Sequence, residues 1–314
     1  MDHFCFVLIP GFSLVALSCA IDALRAANQI SGTPVYQWQT VTPEGTGAIS
    51  SSSITLPADN LDEVRIPDLI AICGGDRSHD YSNMKLTNWL QKQAKAGTHI
   101  GSISDGAFVL AETGLFDWVQ STIHWKCYDA YRERFPSLNI RPSILEIASK
   151  RFSCAGGTSS LDLMLHFIRE KHGGELAGQI ADNYFHDVIR DGSREQHVTN
   201  AFRYSGRNPT LANALLMMEQ NLETPLHISQ IADSLSLSRR QIDRIFNREL
   251  DKTPKDIYFD MRLNRANGLL VQTGMSITEI AIGCGFQSAS HLSKYFTRRF
   301  NVTPGQYRRE NKLR

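Results

Sequence analysis

The sequence predicts an N-terminal α/β parallel-sheet sandwich followed by an all-α domain in which one helix pair is written twice. Three observations point there. Short apolar runs alternate with helix-length amphipathic stretches over positions 1–190, and an apolar pattern near the C-terminus recurs after 49 or 50 positions. The third is length, since 314 residues suit two domains of ordinary size.

From Phe4 to Ile9 every residue is apolar, as a strand buried on both faces requires. Pro10-Gly11-Phe12 then turns the chain into a helix over Ser13 to Asn28. Trp38 to Val41 reads as a second strand, and Pro67 to Cys73 as a third that Gly74-Gly75 stops. Leu86 to Ala96 has helical spacing, His99 to Ser104 is another strand entering a helix at Gly106 to Glu112, and Ser121 to Ile123 is a short one. Leu161 to Arg169 and Leu176 to Ile189 read as helices, with Leu163, Met164, Phe167 and Ile168 as an apolar face. Strands alternating with helices imply a flavodoxin-like parallel sheet covered on both faces. Ligands in such sheets bind beyond the C-terminal strand ends. From Asp191 to Pro209 the apolar pattern gives way to Gly, Ser, Arg, Asn and Pro, marking a linker between domains at 1–190 and 210–314.

Thr210 to Leu222 restarts as a helix, and the repeat follows in Leu226 to Leu250 and Met275 to Phe300. Ile228, Ile231 and Ala232 recur 49 positions later as Ile277, Ile280 and Ala281; Ile242, Phe246, Leu250 and Pro254 recur 50 later as Leu292, Phe296, Phe300 and Pro304. One residue has therefore been added between the halves of the second copy. Apolar residues stand three or four apart, with breaks at Ser236 and Gly285, so each copy is two short helices joined by a tight turn. That is a helix-turn-helix, and two copies are too few for a solenoid. Ser238 is the expected N-cap of a helix presenting Arg239, Arg240, Gln241, Arg244 and Arg248; Gln287, Ser288, Ser290, His291, Lys294 and Arg298 occupy the matching face of the second copy. Arg and Gln can pair with guanine and adenine edges, whereas Lys294 and Arg298, further along, suit phosphates. A merely solvated face is the alternative, and the repeat argues against it.

These residues resemble the DNA-binding domain of the AraC/XylS family. The likeness is carried by Ser238-Arg239-Arg240-Gln241-Ile242 with Phe246, by Thr253-Pro254, and by Gly285-Phe286-Gln287-Ser288-Ala289-Ser290-His291-Leu292 through Phe296 and Phe300 to Thr303-Pro304-Gly305-Gln306-Tyr307-Arg308. The resemblance implies that Lys255 to Val271 is a long helix holding two readers, whose recognition helices enter successive major grooves of promoter DNA about 34 Å apart. Met261, Leu263, Leu269 and Leu270 are then expected inside, with Arg262 and Arg265 outside.

Composition agrees with that division. Arg207 to Arg314 holds 16 Lys+Arg against 10 Asp+Glu, and the remainder holds 17 against 22. A basic C-terminal domain fits phosphate binding; an acidic N-terminal one does not. With no run of about 18 apolar residues, and Asp2 and His3 where a signal peptide is basic, neither a membrane span nor a secretory signal is expected. A cytoplasmic protein follows, with its six cysteines reduced and mostly buried. They show no zinc-type spacing, and neither metal nor cofactor is expected.

Three strand ends carry chemistry. Ser102-Ile103-Ser104-Asp105-Gly106 places a nucleophile-type residue at a strand-to-helix turn, Gly74-Gly75 can bring backbone N–H groups to an anion, and His124-Trp125 follows a short strand. Met1 to about Asp187 resembles the class I glutamine-amidotransferase-like superfamily on its PfpI-type peptidase side. The matching residues are Pro10-Gly11-Phe12, Cys73-Gly74-Gly75, Ser104-Asp105-Gly106-Ala107-Phe108-Val109-Leu110-Ala111 with Gly114-Leu115, Thr122-Ile123-His124-Trp125, and Cys154-Ala155-Gly156-Gly157-Thr158 with Asp162. Enzymes of that superfamily use an elbow cysteine, a nearby histidine and a glutamate from the first helix. Here Ser104, His124 and Asp22 fall to those roles, and a serine needs an oriented base that a thiolate does not. The elbow is therefore expected to bind a ligand without reacting with it.

Fusions of this kind include regulators of arginine, carnitine and choline-derived betaine use, with a run similar to Asp22-Ala23-Leu24-Arg25-Ala26-Ala27-Asn28. The resemblance thus implies an amino acid or quaternary amine as effector. Gly74 and Gly75 would take its carboxylate, Asp22 or Asp105 its cation, and Phe12 and Trp125 would be aromatic walls. The expected protein is an effector-controlled transcription activator, a homodimer that engages RNA polymerase. The alternative is a hydrolase or deglycase-like enzyme, lacking the cysteine, with a DNA-binding tail.

Overall fold

Every residue from Phe4 to Ile9 is buried, and strand alternation divides them. Phe4, Phe6 and Leu8 join one apolar cluster, Cys5, Val7 and Ile9 the other. The unbroken apolar run thus marks a strand with a core on each face. This is β1 (Asp2–Leu8) of a computed structural model that describes residues 1–75, 77–192, 194–196, 204 and 207–312. Among the described residues, it lies in a seven-stranded sheet with β2 (Tyr36–Thr42), β3 (Asp59–Asn60), β4 (Leu69–Cys73), β5 (His99–Ile103), β6 (Leu145–Ala148) and β7 (Arg151–Cys154). The order across the sheet is β6-β7-β5-β4-β1-β2-β3. All pairings are parallel except β6 with β7, an antiparallel hairpin at one edge that the strand-helix alternation did not foretell.

The helices of this unit are α1 (Leu14–Ser31), α2 (Met84–Lys95), α3 (Gly106–Glu112), α4 (Tyr128–Arg134), α5 (Ser159–His172) and α6 (Gly174–Asn183). α1, α5 and α6 bury their apolar faces on one side of the sheet; α2, α3 and α4 do so on the other. The helix expected over Leu176 to Ile189 stops at Asn183. Phe185 takes a left-handed φ of 53°, and the His186 N–H turns back to Ala181 O at 2.9 Å. Tyr184 to Gly192, with Arg194 to Gln196, then forms an irregular strap.

Packing divides the chain into Met1–Gln196 and His197–Arg314. Of the expected linker 191–209, Arg194 and Gln196 hydrogen-bond into the first unit. Residues 197–203, 205 and 206 lie outside the described residues.

The second unit contains α7 (Pro209–Gln220), α8 (Ile228–Ser234), α9 (Arg239–Leu250), α10 (Pro254–Gln272), α11 (Ile277–Gly283), α12 (Ala289–Phe300) and α13 (Pro304–Lys312). The sequence repeat is a backbone repeat. Ser236 and Gly285 both turn the chain with positive φ, 56° and 71°, and α9 and α12 both end on left-handed residues, Asp251 at 52° and Asn301 at 60°. The added residue falls in the second turn, where Gly285-Phe286-Gln287-Ser288 replaces Ser236-Leu237-Ser238 and Phe286 is 3% exposed. α10 serves both copies. Tyr258 packs in the first cluster, while Leu263, Ala266, Leu269 and Leu270 pack in the second. Met261 is partly buried, in the first cluster. Among the described residues no helix is long and apolar enough to cross a membrane.

Candidate ligand site and nucleic-acid interface

β5 ends at Ile103 and α3 begins at Gly106, so Ser104 and Asp105 must reverse the chain between them. Ser104 does so at φ 56°, a region non-glycine residues seldom enter, and is 5% exposed. Its N–H donates to Cys154 O at 3.0 Å. This is the strained elbow that the small neighbours foretold. The loop after β7 lies against it: a methyl on Gly156 would stand 2.6 Å from Ser104 Cβ and 2.9 Å from Oγ. Among the described residues no imidazole or carboxylate hydrogen-bonds Ser104 Oγ; His124 Nδ1 instead accepts the Lys126 N–H at 3.4 Å. Trp125, next to it, is 46% exposed. Burial raises the pKa of the Cys73 and Cys154 thiols, so neither neighbour supplies a thiolate.

Several expected ligand contacts are corrected by the geometry. The Gly74 N–H is held by Ile103 O at 3.1 Å and the Gly75 N–H by Ser78 Oγ at 2.9 Å, so neither faces an anion. These glycines are there for close approach: a methyl at 74 would stand 2.1 Å from Gly106 N, and one at 75 would stand 2.2 Å from Gly11 O. Phe12 is wholly buried in the apolar core, not a wall of an open site. Asp22 lies on α1 with its side chain 47% exposed and accepts from Arg25 Nε at 2.8 Å. Asp105 stays at the elbow, partly exposed.

Missed from sequence are Tyr184, His186, Arg190 and Gln196, which tie the strap to α1, to α5 and to the loops around the elbow. The Tyr184 hydroxyl donates to Asp22 O at 2.8 Å and accepts from Arg25. Asp162, with no exposed surface, hydrogen-bonds His186 Nε2 at 2.8 Å and accepts from the backbone N–H, Nε and Nη2 of Arg190 at 2.7, 2.9 and 2.5 Å. Arg190 Nη2 also reaches Thr158 Oγ1 at 2.9 Å, two residues beyond Gly156. Ile144 N–H donates to Arg194 O at 2.9 Å. Gln196 Nε2 donates to Ile123 O at 2.7 Å, Ser143 O at 2.9 Å and Thr122 Oγ1 at 3.1 Å, in the run that presents His124. These pairs lie far apart in sequence and leave no periodic trace.

In the second unit Ser238 caps its helix as expected, and Ser288, expected on the DNA-facing surface, caps the other. Ser238 Oγ accepts the Gln241 N–H at 3.3 Å, and Gln241 Oε1 takes the Ser238 N–H at 2.7 Å. That capping box engages Gln241, which corrects its expected role at base edges. Arg239 is paired with Asp243 at 3.1 Å. Ser288 Oγ accepts the His291 N–H at 3.1 Å, and the His291 ring packs on Phe286 and Tyr295, with centroids at 5.7 and 5.0 Å. His291 is thus a packing residue. The side chains of Arg240, Arg244, Gln287, Ser290, Lys294 and Arg298 are exposed and, among the described residues, make no hydrogen bond or ion pair, while Lys294 Nζ lies 5.8 Å from the Tyr295 ring centroid.

Arg262 was expected outside and is not. Its Nε donates to Cys284 O at 2.8 Å and its Nη2 to Gly285 O, while the guanidinium lies 4.4 Å from the Phe286 ring centroid. Burial lowers its pKa. Tyr258 instead ties the segment between α7 and α8, donating to Asn221 O at 2.6 Å and accepting the Leu226 N–H at 3.2 Å. Arg265 is also partly buried.

An enzyme-shaped α/β unit joined to two helix-turn-helix motifs on a basic segment defines a transcription regulator. A helix-turn-helix domain model matches residues 231–310, and a DJ-1/PfpI family model matches residues 3–135. The chain is 34% identical over 308 residues to the HTH-type transcriptional regulator CdhR of Pseudomonas aeruginosa, covering 98% of this chain and 91% of that one. The HTH-type transcriptional regulator GbdR of the same species is 34% identical over 98% of this chain and 84% of its own. The crystal structure of an AraC family transcriptional regulator from Pseudomonas putida is 25% identical and covers 59% of this chain and all of that one, with a TM-score of 0.54. The chain belongs to the AraC-type family of HTH-type transcriptional regulators that carry a DJ-1/PfpI-like domain.

Proposed function

We propose that the first unit binds a small effector, an amino acid or quaternary amine, at the loops around Ser104 without converting it, and that the strap carries this occupancy toward the DNA reader. Asp105, His124 and Trp125 are the groups for its cation and body. The observation that carries the reading is the strap itself: Arg190 and Gln196 are tied to the two loops that border Ser104 and present His124. A ligand there acts only by favouring one arrangement of those loops over another. The chain would then work in the cytoplasm as a homodimeric activator that contacts RNA polymerase. In a thermal-shift screen over amino acids, betaines and related amines, Ser104→Trp is expected to abolish the stabilisation that the native chain shows; an unchanged shift would remove the site. Gln196→Ala should keep the shift and lose the ligand-dependent change in DNA affinity. The elbow geometry favours one other reading, a hydrolase or deglycase-like activity. Turnover of amide or glyoxal substrates that vanishes in Ser104→Ala would establish it.

On the DNA side, Arg240, Arg244, Gln287 and Ser290 are assigned to base edges and Lys294 and Arg298 to phosphates. α10 spans about 28 Å, a spacer of the scale that separates adjacent major grooves. On a selected operator, Arg240→Ala or Gln287→Ala is expected to relax preference at one or two base pairs, costing about 1–3 kcal/mol each. Lys294→Ala should weaken every sequence alike and lower the salt slope by about 1. Equal losses on all sequences from all three would refute the assignment.

A further inference from the structure

The two helix-turn-helix copies are closed by equivalent ties, only one of which faces the other copy. In the first, the Tyr258 hydroxyl joins Asn221 O to the Leu226 N–H. In the second, Arg308 Nε donates to Leu270 O at 3.1 Å and Nη2 to Met275 O at 2.5 Å. These are the same positions of the repeat: 221 and 226 recur 49 residues later as 270 and 275, and 258 recurs 50 later as 308. Each side chain therefore brackets the segment that leads into its own helix-turn-helix. What the segments meet is different. A methyl on Gly274, the counterpart of Pro225, would have nothing within 4 Å, whereas Leu222 O and Pro225 both stand 2.7 Å from where a methyl on Gly285 would lie. The segment that Tyr258 ties is thus pressed on the turn of the second copy.

Three departures of the second copy from the first gather at that contact. The lengthened turn brings in Phe286, 3% exposed, whose ring lies 5.4 Å from that of Phe259 on α10. Arg262 covers the Phe286 ring and donates to Cys284 O and Gly285 O, while its counterpart in the first copy, Asn213, is exposed. Gly285 gives the turn its positive φ where Ser236 does so in the first copy, and it leaves room for Leu222 and Pro225. Residues four apart share a helix face, so one face of α10 holds the first copy's loop through Tyr258 and the second copy's turn through Arg262. Among the described residues the two apolar clusters have no member in common. α10 and this joint therefore set one recognition helix against the other.

We propose that Tyr258, Arg262 and Phe286 form a spacing clamp: they hold α9 and α12 at one separation and phase, so the chain selects operators by the distance between half-sites as well as by the bases within them. The proposal rests on the reading that α9 and α12 enter successive major grooves. Half-sites one base pair further apart are displaced by about 3.4 Å and rotated by about 34°, which a rigid joint does not follow. The three are positioning residues, acting through the recognition helices.

Binding of the full chain to a selected operator, and to duplexes whose half-sites stand one base pair closer or further apart, tests it. The native chain is expected to prefer its own spacing by about tenfold or more. Tyr258→Phe deletes one hydroxyl and Phe286→Leu keeps an apolar plug, so each loosens the joint with the core still filled. Both should narrow the spacing preference about three- to tenfold, and if one fails to fold the other decides. Base preference within each half-site should stay native. Arg308→Met frees the segment that faces open space and should weaken all three spacings alike. The clamp is overturned if the native chain binds the three spacings equally, if a folded Tyr258→Phe or Phe286→Leu chain keeps the native preference, if base preference shifts along with spacing, or if Arg308→Met narrows the preference as much. Failure of Arg240→Ala and Gln287→Ala to relax base preference would instead remove the two-groove reading beneath it.

Discussion

Arg262→Ala is expected to lower the melting of the C-terminal unit by about 10 °C or more while the N-terminal transition stays in place. The guanidinium donates to Cys284 O and Gly285 O at the turn of the second helix-turn-helix and lies over Phe286. That turn is crowded as well as bent: a methyl on Gly285 would stand 2.7 Å from Leu222 O and from Pro225, in the turn before α8. Arg262 therefore fixes the place where the two copies meet. Hydrogen bonds from a charged group contribute about 1.5–3 kcal/mol each and a desolvated cation–π contact up to about 2, non-additively, so a loss of about 2–4 kcal/mol is expected. For a domain of this size that is about 10 °C or more. Scanning calorimetry of the full chain, with the two units read as separate transitions, checks it. Footprinting should show protection kept where the first copy reads and lost where the second does. Arg262→Lys should not rescue, because an ammonium cannot span two carbonyls and stack on a ring. A C-terminal transition within about 1 °C of the native one would sink the argument.

What could be read in advance follows from how each feature is encoded. The twofold helix-turn-helix was legible because burial repeats at helical spacing and because Ser236 and Gly285 interrupt it at matching positions. The elbow was legible because Ser102-Ile103-Ser104-Asp105-Gly106 sets small residues at a strand-to-helix turn and matches the PfpI-type likeness. Which polar groups remain available was not, since that depends on competition settled in three dimensions. Gly75 gives its N–H to Ser78, and Gln241 its side chain to the Ser238 cap, although Ser-x-x-Gln before an apolar helix is itself a capping signature. Arg262 shows the same limit from the other side. Its place in the helix repeat reads as solvent-facing until a turn 22 residues away is folded against it. Asp162 was visible as part of the PfpI-type likeness, but its partners, 24 and 28 residues on, were not.

Asp162→Ala is expected to cost the N-terminal unit about 3–5 kcal/mol, the largest single effect in that half of the chain. The carboxylate is fully buried and holds His186 and Arg190, so removing it leaves a guanidinium and an imidazole facing an empty site. Calorimetry should show the N-terminal transition falling while the C-terminal one holds. The strap makes a further expectation possible. In Asp162→Ala/Arg190→Met the uncompensated charge is gone and an apolar side chain of similar length remains, so much of the lost stability should return. Communication should not return with it, because Thr158 and the strap are then no longer linked by Arg190. The double variant should therefore melt near the native temperature and bind operator DNA, yet respond to no effector. Recovery of stability together with a native effector response would mean that the Asp162–Arg190 pair only glues the strap down and that the signal leaves the sensor by another route.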